Sequence, residues 1–151
     1  MKIRERILVL LGLLSISFTS FAQVGSAPCP SPEFIKQPNH ILRTGGILYL
    51  INVPDGIDVM TIQGGALELS ILDDPFLLIN WRSAGIDSNT IFYCSYSTVD
   101  FAQKSRPKGA ITLKTLSRGW RADTSMPNGW KNLFECGSPG ENRETCRAHT
   151  A

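Results

Sequence analysis

Between residues 41 and 116 the apolar side chains come in short runs, broken by glycine, proline and aspartate. Where a run is long enough to show a period, the period is two. Thr90–Thr98 alternates most clearly: Phe92, Cys94 and Tyr96 share one strand face, while Ile91, Tyr93, Ser95 and Ser97 share the other. Ala66–Leu72 sets Leu67, Leu69 and Ile71 against Glu68 and Ser70, and Ala110–Leu116 sets Ile111 and Leu113 against Thr112 and Lys114. Ile41–Val53 opens the β region with a turn or bulge at Gly45-Gly46, and the Ile47–Val53 run that follows has high strand propensity and little one-sided polarity, which predicts a central strand buried on both faces. Ile57–Ile62 and Phe76–Trp81 are further strands, with a turn at Pro54-Asp55-Gly56 and a connection over Ser83–Asn89. Together these elements predict a mostly β domain of about six strands, either a small antiparallel β sandwich or a strongly curled sheet.

The flanks lack this alternation. Pro28, Pro30, Pro32 and Pro38 predict an extended N-terminal arm over residues 23–40, leading into the β domain at 41–116. Residues 117–151 read as a turn-rich C-terminal appendix, with a small helix near Trp130–Glu135 and a mobile end at His149. Residues 1–22 have the order of a secretory signal peptide. Lys2, Arg4 and Arg6 precede the apolar Ile7–Leu14, and Ser20-Phe21-Ala22 is a small-x-small site that predicts cleavage before Gln23. The apolar run is shorter than the ~20 residues of a spanning helix, which argues against a transmembrane anchor. The expected destination is periplasmic or secreted.

Charge changes the picture once the leader is set aside. The 151-residue chain carries 15 basic and 13 acidic side chains. Lys2, Arg4, Arg6 and Glu5 belong to the leader, so twelve of each sign remain. A balanced exported domain gives no support to general nucleic-acid binding, which needs a basic surface. The signs are nevertheless segregated. Residues 45–100 hold Asp55, Asp58, Glu68, Asp73, Asp74, Asp87 and Asp100 against Arg82 alone, whereas residues 101–121 hold six bases and no acid. Two neighbouring surfaces that partly neutralise each other, or a basic face for an anionic partner, would both produce this pattern.

All four cysteines, Cys29, Cys94, Cys136 and Cys146, lie beyond the leader. An even number in an oxidising compartment predicts two disulfides. Three pairings are open. Cys29–Cys94 with Cys136–Cys146 is favoured, because the second would order a short hydrophilic Gly/Pro segment and staple the appendix. Cys29-Pro30 near the mature start, and Cys94-Ser95-Tyr96 ahead of the Ile111-Thr112-Leu113 strand, resemble an uncharacterised family of small exported bacterial β-rich proteins with an early Cys-Pro and a later Cys-x-Tyr. The resemblance covers roughly residues 29–116 and implies a β-rich exported domain. It brings no catalytic residues.

The sequence contains no nucleophile elbow, phosphate loop, paired-histidine zinc motif or dinucleotide fingerprint, and no cofactor is expected. His40 and His149 are isolated from each other. Glu68 with Asp73 or Asp74 is the one candidate acid pair for a small secreted hydrolase acting on carbohydrate. Arg118, Trp120, Arg121 and Trp130 form the candidate binding face, with guanidinium groups for an anionic partner and indoles for apolar contact. Packing of the same indoles on the β core is the competing expectation. The favoured reading is an exported, non-enzymatic interaction protein with an envelope, glycan or protein partner. The alternatives are the acid-dependent hydrolase and an inhibitor of another secreted enzyme. Neither partner nor oligomeric state is specified.

Overall fold

The computed structural model of the chain describes residues 25–65, 72, 77–100, 109–137 and 142–150. The leader expected over residues 1–22 and, apart from the buried Leu72, the strand expected over residues 66–72 lie outside the described residues. The fold is mostly β, and the described residues form two antiparallel sheets of seven and two strands and one short helix.

Residues 25–40 are extended except for one helical turn, α1 (Pro32–Ile35), and a 3-10 turn at Pro38–His40. Proline does not prevent α1, because Pro32 occupies the first turn, where its missing N–H is not needed. The Ser31 side chain caps that turn by accepting from the Phe34 N–H at 3.2 Å.

β1 (Ile41–Thr44) and β2 (Ile47–Val53) form a hairpin whose two-residue turn is Gly45-Gly46. Both glycines have positive φ, 58° and 74°, the geometry that matches the twist of the flanking strands. Contrary to the two-sided burial expected for residues 47–53, β2 buries Leu48, Leu50 and Val53 between more exposed neighbours, and β1 beside it is largely exposed. The turn divides one apolar run into an edge strand and a one-sided strand.

β3 (Asp58–Gly64) pairs with β2 and with β6 (Gly109–Thr115). β4 (Leu77–Ile86) and β5 (Phe92–Asp100) form the longest pair, and β8 (Glu135–Cys136) closes the far edge on β4. The strand order is β1-β2-β3-β6-β5-β4-β8. β4 runs straight through the connection expected after Trp81. A register shift between Trp81 and Ser83 inserts a residue, so Ile79 and Ala84 both face the core while the period of two is lost.

The core lies on one face of this sheet. Phe92, Cys94, Tyr96 and Thr98 of β5 are at most 1% exposed, beside Ile111 and Leu113 of β6, Met60 of β3 and Leu50 of β2. The appendix completes the cover. β7 (Trp120–Ala122) pairs with β9 (Ala148–Thr150), and Ala27 from the arm bridges Ala148 with two backbone hydrogen bonds of 2.8 and 2.9 Å. The end near His149 is therefore a strand, tied to both the arm and β7. No helix forms over residues 130–135. Trp130 instead bridges Cys136, and the intervening residues make a tight turn.

Two disulfides fix these layers: Cys29–Cys94 joins arm to sheet, and Cys136–Cys146 joins β8 to the segment before β9, with Cα separations of 5.8 and 5.6 Å. Among the described residues no helix is long and apolar enough to cross a membrane.

Candidate functional site

Arg118, Trp120, Arg121 and Trp130 are drawn in different directions. Trp120 is 5% exposed and Trp130 is half-buried. Both indoles pack against Phe92, at ring-centroid distances of 5.6 and 6.5 Å. Each indole N–H has an internal acceptor: Ser117 Oγ at 3.2 Å for Trp120 and the Arg147 carbonyl at 2.7 Å for Trp130. The tryptophans thus converge on the core, as amphipathic rings do when their polar edge finds a partner. Arg118 and Arg121 are exposed, so the site offers guanidinium groups without an open indole face. The candidate acids Glu68, Asp73 and Asp74 lie outside the described residues. Among the described residues no cluster of His, Cys, Asp and Glu could hold a metal ion.

Two other arginines, not singled out by sequence, have defined structural work. Arg143 donates to the Cys29 carbonyl and pairs with Glu144 at 3.0 Å. Arg147 donates to the Ser26 carbonyl at 2.7 Å and to Ser26 Oγ at 3.1 Å, and it pairs with the other Glu144 oxygen at 3.0 Å. Ser26 Oγ in turn donates to Asp123 at 2.6 Å. Hydrogen bonds from Ser125 and Ser26 hold the Asp123 carboxyl down at about 2. This network locks the arm to the appendix. Their spacing in sequence, more than a hundred residues from Cys29 or Ser26, hid it.

The opposite face of the sheet carries a different set. Across it, Tyr49, Thr61, Lys114, Tyr93 and Gly85 fall in one register row. A Cβ on Gly85 would overlap the Tyr93 ring at Cζ and Oη, so the ring lies directly over the glycine. Burial raises the Tyr93 pKa, and the nearby Glu135 and Asp87 charges add to the rise. The phenol therefore stays a neutral donor and acceptor at physiological pH.

Tyr93 lines a concavity of about 260 Å³ together with Gln63, Asp87, Ser95, Thr112 and Lys114. Asp87 is fixed there because Oδ1 accepts from the backbone N–H groups of Asn89 at 2.8 Å and Ile91 at 3.1 Å. Strand alternation reveals that Tyr93 and Ser95 point away from the core, but not that a glycine in β4 makes room for the ring. A larger hollow, of about 770 Å³, lies at the β1–β2 hairpin tip and the end of β3. It is lined mainly by glycine, threonine and aliphatic residues, and adjoins in sequence the undescribed residues 66–71, so it gathers no candidate chemistry. At the β8 edge, Leu133 and Phe134 are 64% and 59% exposed, on a turn capped by Asn132 Oδ1 at 2.8 Å from the N–H groups of Phe134 and Glu135.

No protein-family model, curated protein or solved structure matches the chain.

Proposed function

We propose that the protein is an exported, non-enzymatic interaction protein, delivered by a cleaved leader and akin to the small exported bacterial β-rich proteins it resembles. Its partner belongs to the envelope, glycan or protein class. The supporting observation is the contrast between the sheet's two faces. Both terminal segments, both disulfides and the Arg147 network close the core face, whereas the other face keeps a concavity lined by polar groups and one aromatic ring. Stapled chain ends favour a rigid surface that meets a partner without ordering cost. Two disulfides and no free thiol among the four cysteines suit an oxidising compartment.

The reading is tested with oxidised protein recovered from outside the cytoplasm. Mass spectrometry should give an N-terminus at Gln23, and immobilised protein should retain a reproducible envelope, glycan or protein component at moderate salt. Purely cytoplasmic, uncleaved protein, or turnover of a substrate with no retained partner, overturns it.

A further inference from the structure

We propose that the open face of the sheet carries a saccharide subsite centred on Tyr93, which takes one uncharged sugar ring of a glycan. The proposal rests on the reading of the protein as an exported interaction protein and names the chemical class of its partner. A sugar ring presents C–H-rich faces and a rim of hydroxyls. It is recognised where an aromatic face meets a ring of groups that both donate and accept.

The concavity has both parts. Gly85 lets the Tyr93 ring close onto the strand backbone, and the side chain lines the hollow. Gln63 offers an amide, Ser95 and Thr112 offer hydroxyls, Asp87 offers a carboxylate and Lys114 an ammonium. These groups are held in register: Gln63 faces Thr112, Thr112 faces Ser95, and Lys114 faces Tyr93 across paired strands.

Charge selects a neutral ligand. Lys114 and Asp87 both line the hollow, and Glu135 stands close enough to raise the Tyr93 pKa. With one ammonium and one carboxylate in its lining, the hollow offers neither an anionic nor a cationic sugar a net attraction. Size selects a single ring. At about 260 Å³ the hollow is smaller than a drug-sized pocket of ~300–1,000 Å³. The neighbouring Tyr49, one strand beyond Thr61 in the same row, lies along the path of a second ring. An isolated subsite of this kind binds weakly, with Kd on the order of 1 mM.

The test is an amide-resolved NMR titration of the oxidised protein with cellohexaose, maltohexaose, mannohexaose and chitohexaose, each uncharged. At least one should give saturable shifts centred on Gln63, Tyr93, Ser95, Thr112 and Lys114. Tyr93→Ala should weaken that binding at least tenfold. Tyr93→Phe should keep most of it, because the ring face remains. Gln63→Ala, at an exposed position, should weaken binding several-fold at an unchanged melting temperature, which keeps the test valid if Tyr93→Ala unfolds. No saturable shift with any of the four sugars, shifts centred on Arg118 and Arg121, or full affinity in Gln63→Ala and a folded Tyr93→Ala would overturn the subsite. If a protein partner is retained equally well by wild type and Tyr93→Ala while no sugar binds, the subsite fails and the exported interaction reading stands. If neither sugar nor any other partner is retained, both fail.

Discussion

At one end of the seven-stranded sheet, β1, β2 and β3 are held by strand pairing and by a single layer of inward side chains, Leu48, Leu50, Met60 and Ile62. At the other end, β5, β4 and β8 carry both disulfides, the Phe92–Trp120–Trp130 cluster and, through the arm and appendix, the Arg147 network. The first end is ordered by sequence-local hairpins. The second is assembled from residues up to 121 positions apart. Closing such distant contacts costs chain entropy before any contact is gained, and a covalent link reduces that cost in the unfolded chain. Placing the staples at the non-local end puts them where hydrogen bonds alone would be least effective.

Breaking the staple at the non-local end gives the largest expected effect. Cys29–Cys94 closes a loop with a sequence separation of 65, for which the chain-entropy relation gives about 4 kcal/mol. Cys136–Cys146, with a separation of 10, gives about 3 kcal/mol by the same relation. Double replacement of Cys29 and Cys94 by alanine should therefore lower stability more than double replacement of Cys136 and Cys146, as read by urea unfolding at constant m-value. The reverse order would show that strain or residual structure, rather than loop length, sets the benefit.

Met60 sharpens the comparison from the local end. It is fully buried in β3, opposite Leu50 on one side and Thr115 on the other. Met60→Ala should cost roughly 3 kcal/mol through lost burial and the cavity left behind. Hydrogen exchange in that variant should accelerate first in β1–β3, with β4 and β5 still protected, because no disulfide crosses the hairpin end. Uniform acceleration across the sheet would mean that the two ends unfold as one unit.

The same contrast explains what the sequence made legible. Phe92–Thr98 reads as a one-sided strand because its alternation is unbroken and local, and residues 109–115 read the same way. β4 was half hidden because the irregularity at Trp81–Ser83 makes residues on either side of it change face. That concealed the part Gly85 plays, and with it the reason the Tyr93 ring can lie over the strand; a glycine inside a strand is the signal of such a close approach. β7 and β9 have three residues each and exist only because they meet each other and Ala27, which no local pattern encodes. The indoles of Trp120 and Trp130 were undecided in sequence for the same reason, since Phe92, which they both pack on, is nearly thirty residues or more away. Exposure of Leu133 and Phe134 follows from a turn that Asn132 organises, whereas the helix expected there would have needed a longer periodic pattern.

The smallest expected effect separates electrostatic from covalent attachment at the non-local end. Asp123 accepts from Ser125 Oγ at 2.6 Å and from the Ser125 N–H at 3.0 Å, besides Ser26, and its pKa falls from 3.8 to about 2. A carboxyl whose folded pKa lies below its unfolded value stabilises the fold fully above the unfolded pKa. That contribution is lost as pH falls through the folded pKa, since the unfolded chain takes up the proton first. For Asp123 the window runs from about pH 4 down to about pH 2. The carboxylate is partly exposed, so solvent screening keeps the effect small. Asp123→Asn retains an oxygen acceptor but cannot titrate, so its stability should fall less steeply than wild type across that window, with both disulfides intact. Parallel curves for the two proteins between pH 4 and pH 2 would assign acid sensitivity to other carboxylates and leave the Ser26–Asp123 contact a neutral tether.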